Sequence, residues 1–402
     1  MNALANDMLP RWRKKGLRMA RLCAVLALVT ALVFVAVRKA RVAEDQRTAK
    51  LEALFAPFND SKSPGIAVLV RKDGHAIFEH GYGVRDLRTF AAIDPETNFR
   101  LASCTKQFTA MAIMLLVHDG KLRYEETLTE VFPEFPAYGK TITIRNLLNH
   151  TSGLQDYETL MEQDERGGGH HWTAESQIQD AEVLALLEKQ NSTLFPAGTK
   201  WAYSNSGYVL LGSIVAKVSG KSFGEFLRDR IFAPLKMDQT LAYEKGKNEV
   251  ANRAFGHTKE ADGWKQTDQS STSATLGDGG VYSSLSDLAK WDEALAQHTL
   301  LGEDEMRPAW TPVKLAGGAR PKWPADSDRP VGTPVAYGFG WFIDYYWGHP
   351  WMWHYGDTMG FHSYVSRFVD DKLSIILLCN RTDLDLEQIT EKIAGMFLKP
   401  IY

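Results

Sequence analysis

The sequence has few cysteines and almost no excess charge of either sign. Three cysteines occur in 402 residues, and 46 Lys and Arg against 49 Asp and Glu leave a formal net charge of -3. So few thiols exclude a disulfide-stabilised scaffold, and the balanced charge gives no support for a nucleic-acid partner. Cys23 stands near the N-terminus. Cys104 and Cys379 could pair, although two buried free thiols are the favoured interpretation.

The first 43 residues differ from the rest of the chain. A cluster of lysines and arginines precedes an uncharged apolar run, LCAVLALVTALVFVAV at residues 22–37. This order is typical of an export signal. Because three basic residues follow directly where a cleavage site would stand, we expect an uncleaved signal anchor in place of a cleaved signal peptide. The excess of basic residues before the run predicts that residues 44–402 lie on the periplasmic side of the inner membrane, anchored there or secreted after cleavage.

Strand patterns occur at both ends of residues 44–402, and helix patterns occur between them. Residues 63–83, SPGIAVLVRKDGHAIFEHGYG, are typical of a hairpin. The aromatic and β-branched region after residue 335 predicts three or four antiparallel strands followed by an amphipathic helix. We therefore predict an α+β fold (an α/β sandwich) with one antiparallel sheet made from both ends and flanked by helices. A mostly helical region is expected to be inserted at about 121–270.

One predicted helix begins with a serine and a lysine three residues apart, Ser103 and Lys106, in LASCTKQFTA. On a helix these residues share a face. A structural explanation is a capping serine and a lysine that reaches solvent. A chemical explanation is a serine nucleophile whose proton the amine adjusts, which requires burial or neighbours to lower the amine pKa from its ordinary value of about 10.4. The pair alone is a weak pattern.

Two further motifs favour the chemical explanation. Tyr203-Ser204-Asn205 places a phenol and an amide two residues apart, and His354-Tyr355-Gly356 lies on a predicted strand. With Ser103 and Lys106, these motifs resemble the serine β-lactamase and penicillin-recognising peptidase superfamily. The branch that they resemble contains class C β-lactamases, H-x-G-type D-alanyl-D-alanine peptidases and family VIII esterases. The stretches LLNHTSGL, GDGGVYSS and HYGDTMGF are similar to the same branch, and the resemblance extends from about residue 53 to the C-terminus.

The resemblance implies a beta-lactamase/transpeptidase-like fold and a role for each motif. Ser103 would attack a carbonyl and form an acyl-enzyme, and Lys106 would hold or relay its proton. Tyr203 would pass a proton to the leaving group, for which a phenol of pKa about 10 needs a cationic neighbour such as Lys106 or His354. No metal or organic cofactor is implied.

The remaining implied roles concern substrate binding. Asn205 would bind Lys106 and the substrate amide, and the backbone N–H groups of Ser103 and Asp357, beside Gly356, would form the oxyanion hole. A carboxylate would oppose the charge forming there, so we expect the Asp357 side chain to point away from the pocket.

His354 stands where class C β-lactamases carry lysine. A histidine of ordinary pKa, about 6.5, is mostly neutral and is a poorer anchor for a β-lactam carboxylate. We therefore expect a DD-carboxypeptidase-like D-amino-acid peptidase or an esterase acting on a small molecule or a short peptide, including cell-wall D-peptides. The alternatives are a class C-like β-lactamase and, in another class, a non-catalytic penicillin-binding or cell-wall-binding scaffold or sensor.

Two other patterns in the chain compete with this interpretation. Gly220-Lys221-Ser222-Phe223-Gly224 matches the nucleophile elbow of α/β-hydrolases, but Ser222 and Glu225 also match a helix capping box, which we favour. His170-His171 could suggest a metal site, but no third ligand has suitable spacing, and a polar loop is favoured. The tryptophans after residue 340 are expected mainly to pack the sheet, with one or two lining the cleft.

Overall fold

The computed structural model describes residues 11–324 and 332–401. The chain divides into two compact units, with the boundary after Ala56. In its described part, the first unit is helix α1 (Arg11–Phe55). The predicted apolar segment at 22–37 lies within α1, whereas residues 1–10 of the basic region lie outside the described residues. Across the described ranges, no helix combines the length and apolar composition that a membrane span needs.

The second unit is built on a six-stranded antiparallel sheet. The strands of this unit are β1 (Ile66–Lys72), β2 (His75–Tyr82), β3 (Val84–Asp86), β4 (Ala91–Ala92), β5 (Phe99–Arg100), β6 (Leu241–Ala242), β7 (His257–Glu260), β8 (Gly263–Gln266), β9 (Val281–Ser283), β10 (Phe342–Tyr346), β11 (His349–Thr358), β12 (Phe361–Phe368) and β13 (Leu373–Cys379). The large sheet has the order β10-β11-β12-β13-β1-β2. It therefore confirms the prediction of one antiparallel sheet made from both ends of the domain.

The central strands of this sheet come from distant parts of the chain. Strand β1 pairs with β13 from Ile66 opposite Cys379 to Lys72 opposite Leu373. Every residue of β13 is buried, as expected for a strand covered on both faces. The β1–β2 hairpin turns at Asp73 and Gly74, whose φ angles are +52° and +82°. Such positive angles at both central residues suit a tight turn that matches the strand twist.

Helices flank the sheet and fill the inserted region. They are α2 (Lys106–His118), α3 (Leu128–Val131), α4 (Ile144–Leu148), α5 (Tyr157–Arg166), α6 (Asp180–Glu188), α7 (Asn205–Ser219), α8 (Phe223–Leu227), α9 (Leu285–Ala296), α10 (Glu303–Met306) and α11 (Leu386–Ala394). Helix α9 contacts β1 and β13, and α11 contacts β12 and β13. The inserted region ends in the short strands β6 to β8. Its last part is therefore not helical, contrary to the expectation.

Helix α2 forms the centre of the core. Its residues from Lys106 to Leu116 are all buried, and a helix that is covered on every side belongs to the interior. Ser103 lies just before α2, in a 3-10 turn that spans Ala102–Thr105. The helix predicted to begin near Ser103 therefore starts with this 3-10 turn and becomes α-helical at Lys106. Nearby Cys104 and distant Cys379 are both buried free thiols, as the sequence favoured.

Candidate active site

The 3-10 turn and the first residue of α2 bring Ser103 and Lys106 together. The Lys106 Nζ atom lies 2.9 Å from the Ser103 Oγ atom. The same nitrogen contacts Asn205 Oδ1, at the start of α7, at 2.9 Å and the backbone oxygen of Asp278 at 3.0 Å. Lys106 has no exposed surface, so the explanation of a lysine that reaches solvent is wrong.

Burial changes the protonation of Lys106. Removal from water lowers the pKa of its amine from 10.5 to about 8, although the carboxylates of Asp278 and Asp156 act in the opposite direction. An amine with this pKa is mainly protonated at neutral pH, but its neutral form is accessible at modest cost.

The three contacts of Lys106 determine where its lone pair points. An ammonium group donates to all three oxygens. A neutral amine has two N–H groups and one lone pair, and Asn205 Oδ1 and the Asp278 carbonyl can only accept hydrogen bonds. Both N–H groups are therefore used by these oxygens, and the lone pair of the neutral amine faces the hydroxyl of Ser103. The arrangement can accept the Ser103 proton.

Tyr203 also reaches the nucleophile. Its phenol hydrogen-bonds Ser103, and the Lys106 nitrogen lies 4.9 Å from the centre of its ring. Burial nevertheless raises the pKa of Tyr203 well above 10, and the hydrogen bond with Ser103 only opposes this shift. The pKa of Tyr203 is therefore not lowered by a cationic neighbour as expected, because loss of hydration is the largest influence on it. The phenol is protonated.

His354 lies behind the site and has no exposed surface. Its Nδ1 atom is 2.7 Å from the backbone oxygen of Tyr355, and its Nε2 atom is 3.0 Å from the Tyr337 hydroxyl. Because a carbonyl only accepts, Nδ1 donates and Nε2 accepts from Tyr337. Burial and the nearby charge of Lys106 lower the pKa of His354 to about 3. The expectation that His354 could be a cationic neighbour of Tyr203 is therefore corrected. Its ring is neutral, and both ring nitrogens form hydrogen bonds.

Gly356 permits close contact between strand β11 and the turn that carries the nucleophile. A Cβ atom on Gly356 would lie 2.0 Å from the backbone oxygen of Leu101. Opposite Gly356 in the sheet, Ser363 donates a hydrogen bond of 2.7 Å to the same oxygen. The absence of a side chain at position 356 therefore allows β11 to lie beside the Ser103 turn.

The carboxylate of Asp357 is engaged by the next strand. Its Oδ1 atom lies 3.0 Å from the Nε2 atom of His362, and 64% of its side chain is exposed. Burial opposes a charge on His362, but the hydrogen bond and charge of Asp357 prevail and raise its pKa. The oxyanion-hole role of the Ser103 and Asp357 backbones stays a prediction from the resemblance.

Exposure separates the groups that a substrate can reach from those that support them. Ser103, Tyr203 and Asn205 are partly exposed, whereas Lys106 and His354 are buried. Cys104, next to the nucleophile, faces inward: its Sγ atom contacts the backbone oxygen of His354 at 3.3 Å. Burial raises its thiol pKa to about 12, so Cys104 is not an alternative nucleophile.

The competing patterns have structural explanations. Ser222 forms a capping box with Glu225 at the start of α8, and the element before it is helix α7, not the strand that a nucleophile elbow needs. His171 pairs with Glu165, and the ring of His170 contacts that of Trp172 in an edge-to-face arrangement. Within the described residues, no cluster of His, Cys, Asp and Glu could hold a metal ion.

Tryptophans of the sheet line a neighbouring cavity. Trp351 and Trp353 belong to the wall of a cavity of about 1030 Å³, together with Phe342. The ring centre of Phe342 also lies 5.2 Å from that of His354. Neither Ser103 nor His354 lines this cavity, and Phe342 contacts both the cavity and the ring of His354. Trp347 is 46% exposed, and its ring stacks on that of Tyr346 at the end of β10, with ring centres 4.7 Å apart.

Three residues of the site were not singled out from the sequence. Asp278 supplies a backbone oxygen to Lys106, Tyr337 donates to His354, and His150 stacks on Tyr203 with ring centres 4.3 Å apart. Asp278 belongs to GDGGVYSS and His150 to LLNHTSGL. The resemblance therefore indicated these two segments but not the roles of the two residues. No motif marked Tyr337.

A protein-family model described as Beta-lactamase matches residues 51–394. Penicillin-binding protein 4* of Bacillus subtilis is 29% identical over 365 residues, which cover 87% of this chain and 75% of that protein. A D-aminopeptidase of Gluconobacter oxydans is 24% identical over 339 residues, which cover 84% of this chain and 59% of that protein.

Solved structures show the same fold. A penicillin-binding protein homologue from Pyrococcus abyssi superposes with a TM-score of 0.70 at 25% identity, covering 88% of this chain and 76% of that one. The D-amino acid amidase from Ochrobactrum anthropi SV3, complexed with L-phenylalanine amide, has a TM-score of 0.70 at 24% identity. This match covers 87% of this chain and 98% of that one.

Proposed function

The chain belongs to the beta-lactamase family of serine hydrolases, and from this premise we propose that it hydrolyses amide bonds of D-amino-acid derivatives. The activity would be that of a DD-carboxypeptidase or a D-amino-acid amidase, proceeding through an acyl-enzyme on Ser103. The observation that carries the proposal is the buried amine of Lys106, 2.9 Å from the Ser103 hydroxyl and with a pKa of about 8.

The first half-reaction forms an ester on Ser103. The Ser103 oxygen attacks the amide carbon while its proton moves to the neutral amine of Lys106. The carbon–nitrogen bond then breaks, and the departing nitrogen takes the proton that the neutral phenol of Tyr203 carries. The resulting phenolate lies beside the lysine ammonium, which stabilises it.

The second half-reaction restores the enzyme. A water molecule attacks the ester carbon and gives one proton to the Tyr203 phenolate. The Ser103 oxygen leaves and recovers its proton from Lys106. The products are a carboxylic acid and the amine released in the first step, so the protons balance without any further reactant.

The environment of position 354 supports an amide substrate over a β-lactam. His354 is neutral and buried, with both ring nitrogens occupied, so it offers no cation to a β-lactam carboxylate. Relatives of this chain include D-aminopeptidases and a penicillin-binding protein, which supports D-amino-acid amides and peptides as the substrate class.

A substrate panel tests this proposal. The purified protein is assayed with D-amino-acid amides, peptides ending in D-Ala-D-Ala, their L-counterparts, p-nitrophenyl esters and nitrocefin. We expect the highest kcat/KM for a D-configured amide or peptide. Dominant nitrocefin turnover would indicate a β-lactamase, and dominant turnover of esters would indicate an esterase.

A covalent probe tests the acyl-enzyme separately. A fluorescent penicillin should label the wild type and the Ser222→Ala variant but not the Ser103→Ala variant. Absence of labelling and of turnover in the folded wild type would favour a non-catalytic scaffold. Labelling that requires Ser222 would contradict the assignment of the nucleophile.

We further infer that the hydrolase domain acts outside the cytoplasm. Support comes from the order of the N-terminal sequence, in which basic residues precede the apolar run at 22–37. Alkaline phosphatase fused after residue 43 should be active in a bacterial host, because this reporter requires an oxidising compartment. An inactive fusion of normal abundance would contradict the inference.

A further inference from the structure

The segment LLNHTSGL lies directly beneath the residues that carry Tyr203. The backbone oxygen of His150 accepts a hydrogen bond of 3.0 Å from the N–H of Ala202, and the backbone oxygen of Thr151 accepts one of 2.8 Å from Gly198. Leu194 donates to the oxygen of Gly153 over 2.8 Å. These bonds hold the chain before α7 against residues 150–153.

His150 also contacts this chain with its side chain. The Nδ1 atom accepts a hydrogen bond of 3.1 Å from the backbone N–H of Ser204. The imidazole stacks on the ring of Tyr203, with centres 4.3 Å apart and planes inclined by 33°. One histidine thus holds residue 202 by its backbone, residue 203 by its ring face and residue 204 by its ring nitrogen.

The protonation state of His150 follows from these contacts. Because Nδ1 accepts from Ser204, the ring proton must be on Nε2. Burial lowers the pKa of His150 well below 6.5, and the charge of Lys106 acts in the same direction. The ring is therefore neutral near pH 7, and its Nδ1 atom remains a hydrogen-bond acceptor there.

Packing alone does not explain a histidine at this position. His150 is 1% exposed, and its Nε2 atom has no hydrogen-bond partner among the described residues. An unpaired buried donor is unfavourable, and an apolar ring would avoid it. Its backbone has a φ of +60°, a conformation that histidine and asparagine tolerate better than bulky residues. The acceptor at Nδ1 is what an apolar ring could not supply.

We propose that His150 is the positioning residue for Tyr203: it holds residues 202–204 so that the phenol stays within hydrogen-bonding distance of Ser103. The inference rests on the proposed function only through the role of Tyr203 in proton transfer. A displaced phenol would slow acylation, since small errors in the position of a catalytic group cost large factors in rate.

The test compares acylation rates per active site in the full chain. His150→Phe keeps an aromatic ring but removes the acceptor, and we expect a loss of about 10- to 100-fold. His150→Asn keeps an acceptor close to the backbone and tolerates the positive φ, so it should stay within about threefold of wild type. His150→Gln extends its amide beyond the Nδ1 position and should resemble His150→Phe.

A double-mutant cycle separates positioning from a general structural effect. In a Tyr203→Phe background there is no phenol to position, so His150→Phe should change the rate by less than about twofold. Equal fold losses in both backgrounds would overturn the proposal, as would equal rates for His150→Asn and His150→Gln. If His150→Phe does not fold, the Asn and Gln variants provide the same comparison.

A remote histidine supplies the matched control. His298 also has a positive φ, +53°, and its ring packs against Trp310 at 5.3 Å. His298→Phe should leave the acylation rate unchanged. The loss of unfolding free energy in this variant measures how much a phenylalanine at a positive φ destabilises the fold. An acylation rate that Tyr203→Phe alone leaves unchanged would count against the proposed mechanism. A rate that falls with Tyr203→Phe but not with His150→Phe would reject only the positioning role of His150.

Discussion

The Lys106 nitrogen lies 2.9 Å from the Ser103 oxygen while the lysine side chain has no contact with solvent. Removing an amine from water is unfavourable, and the three oxygens around it only partly compensate. The same burial makes the neutral amine accessible near physiological pH. Stability and reactivity are therefore coupled at this residue, and each can be measured.

The acylation rate should rise with pH. The Ser103 proton can move to Lys106 only when the amine is neutral, and the pKa of Lys106 is lowered to about 8. We expect a single ascending limb centred near pH 8 for a substrate without ionisable groups. Lys106→Arg, whose guanidinium does not lose its proton in this range, should be inactive at every pH. A rate independent of pH between 6 and 9 would contradict this assignment.

The stability of the fold should also rise with pH between about 8 and 10. The folded-state pKa of Lys106, about 8, lies below its unfolded value of 10.5, so the unfolded chain binds more protons in this window. Unfolding free energy therefore increases with pH there, by up to about 3 kcal/mol for this group. Chemical denaturation of the wild type and of Lys106→Met isolates the contribution of the Lys106 amine, because the variant has no group at position 106 that binds a proton. Parallel pH profiles would contradict the lowered pKa.

Tyr203→Phe should affect amides more than activated esters. A departing amine needs a proton from the phenol, whereas p-nitrophenolate leaves without one. We expect kcat/KM to fall about 100-fold or more for a D-amino-acid amide and about tenfold or less for the p-nitrophenyl ester of the same acyl group. Equal losses on both substrates would indicate that Tyr203 does not protonate the leaving group.

Gly356→Ala should damage both the fold and the reaction. Its Cβ atom would lie 2.0 Å from the Leu101 oxygen, which forces β11 away from the Ser103 turn. We expect a loss of about 1–3 kcal/mol in unfolding free energy and slower acylation. Gly302→Ala is the control, because a Cβ there meets its nearest neighbour, Glu305, at 3.4 Å. An unchanged Gly356→Ala variant would show that the two elements can separate freely.

The sequence predicted the large sheet well because its strands have strong local signals. The Asp73-Gly74 turn and the apolar runs of β1 and β13 specify strands without reference to the rest of the chain. Strands β7 and β8 were missed, since their eight residues are mostly polar and Trp264 is their only large apolar side chain. Their pairing depends on the surrounding structure and not on a local pattern.

For the site, the sequence predicted which side chains meet but not their protonation. Ser103, Lys106, Tyr203 and Asn205 do converge. The effects of burial on Tyr203 and His354 could not be predicted, because they depend on neighbours far away in the chain. Lys106, for example, lowers the pKa of His354, although the two residues are remote from each other in the sequence.

The pairing of β1 with β13 has a consequence for biosynthesis. Ile66 and Cys379 lie side by side in the sheet, so a contact that spans almost the whole hydrolase domain must form before the sheet is complete. Structures dominated by such high contact order form slowly and late. A ribosome-bound nascent chain in which β13 has not yet left the exit tunnel lacks the strand that joins β12 to β1, so its sheet is incomplete. We therefore expect the Ser103 site to be completed only when the polypeptide is nearly finished.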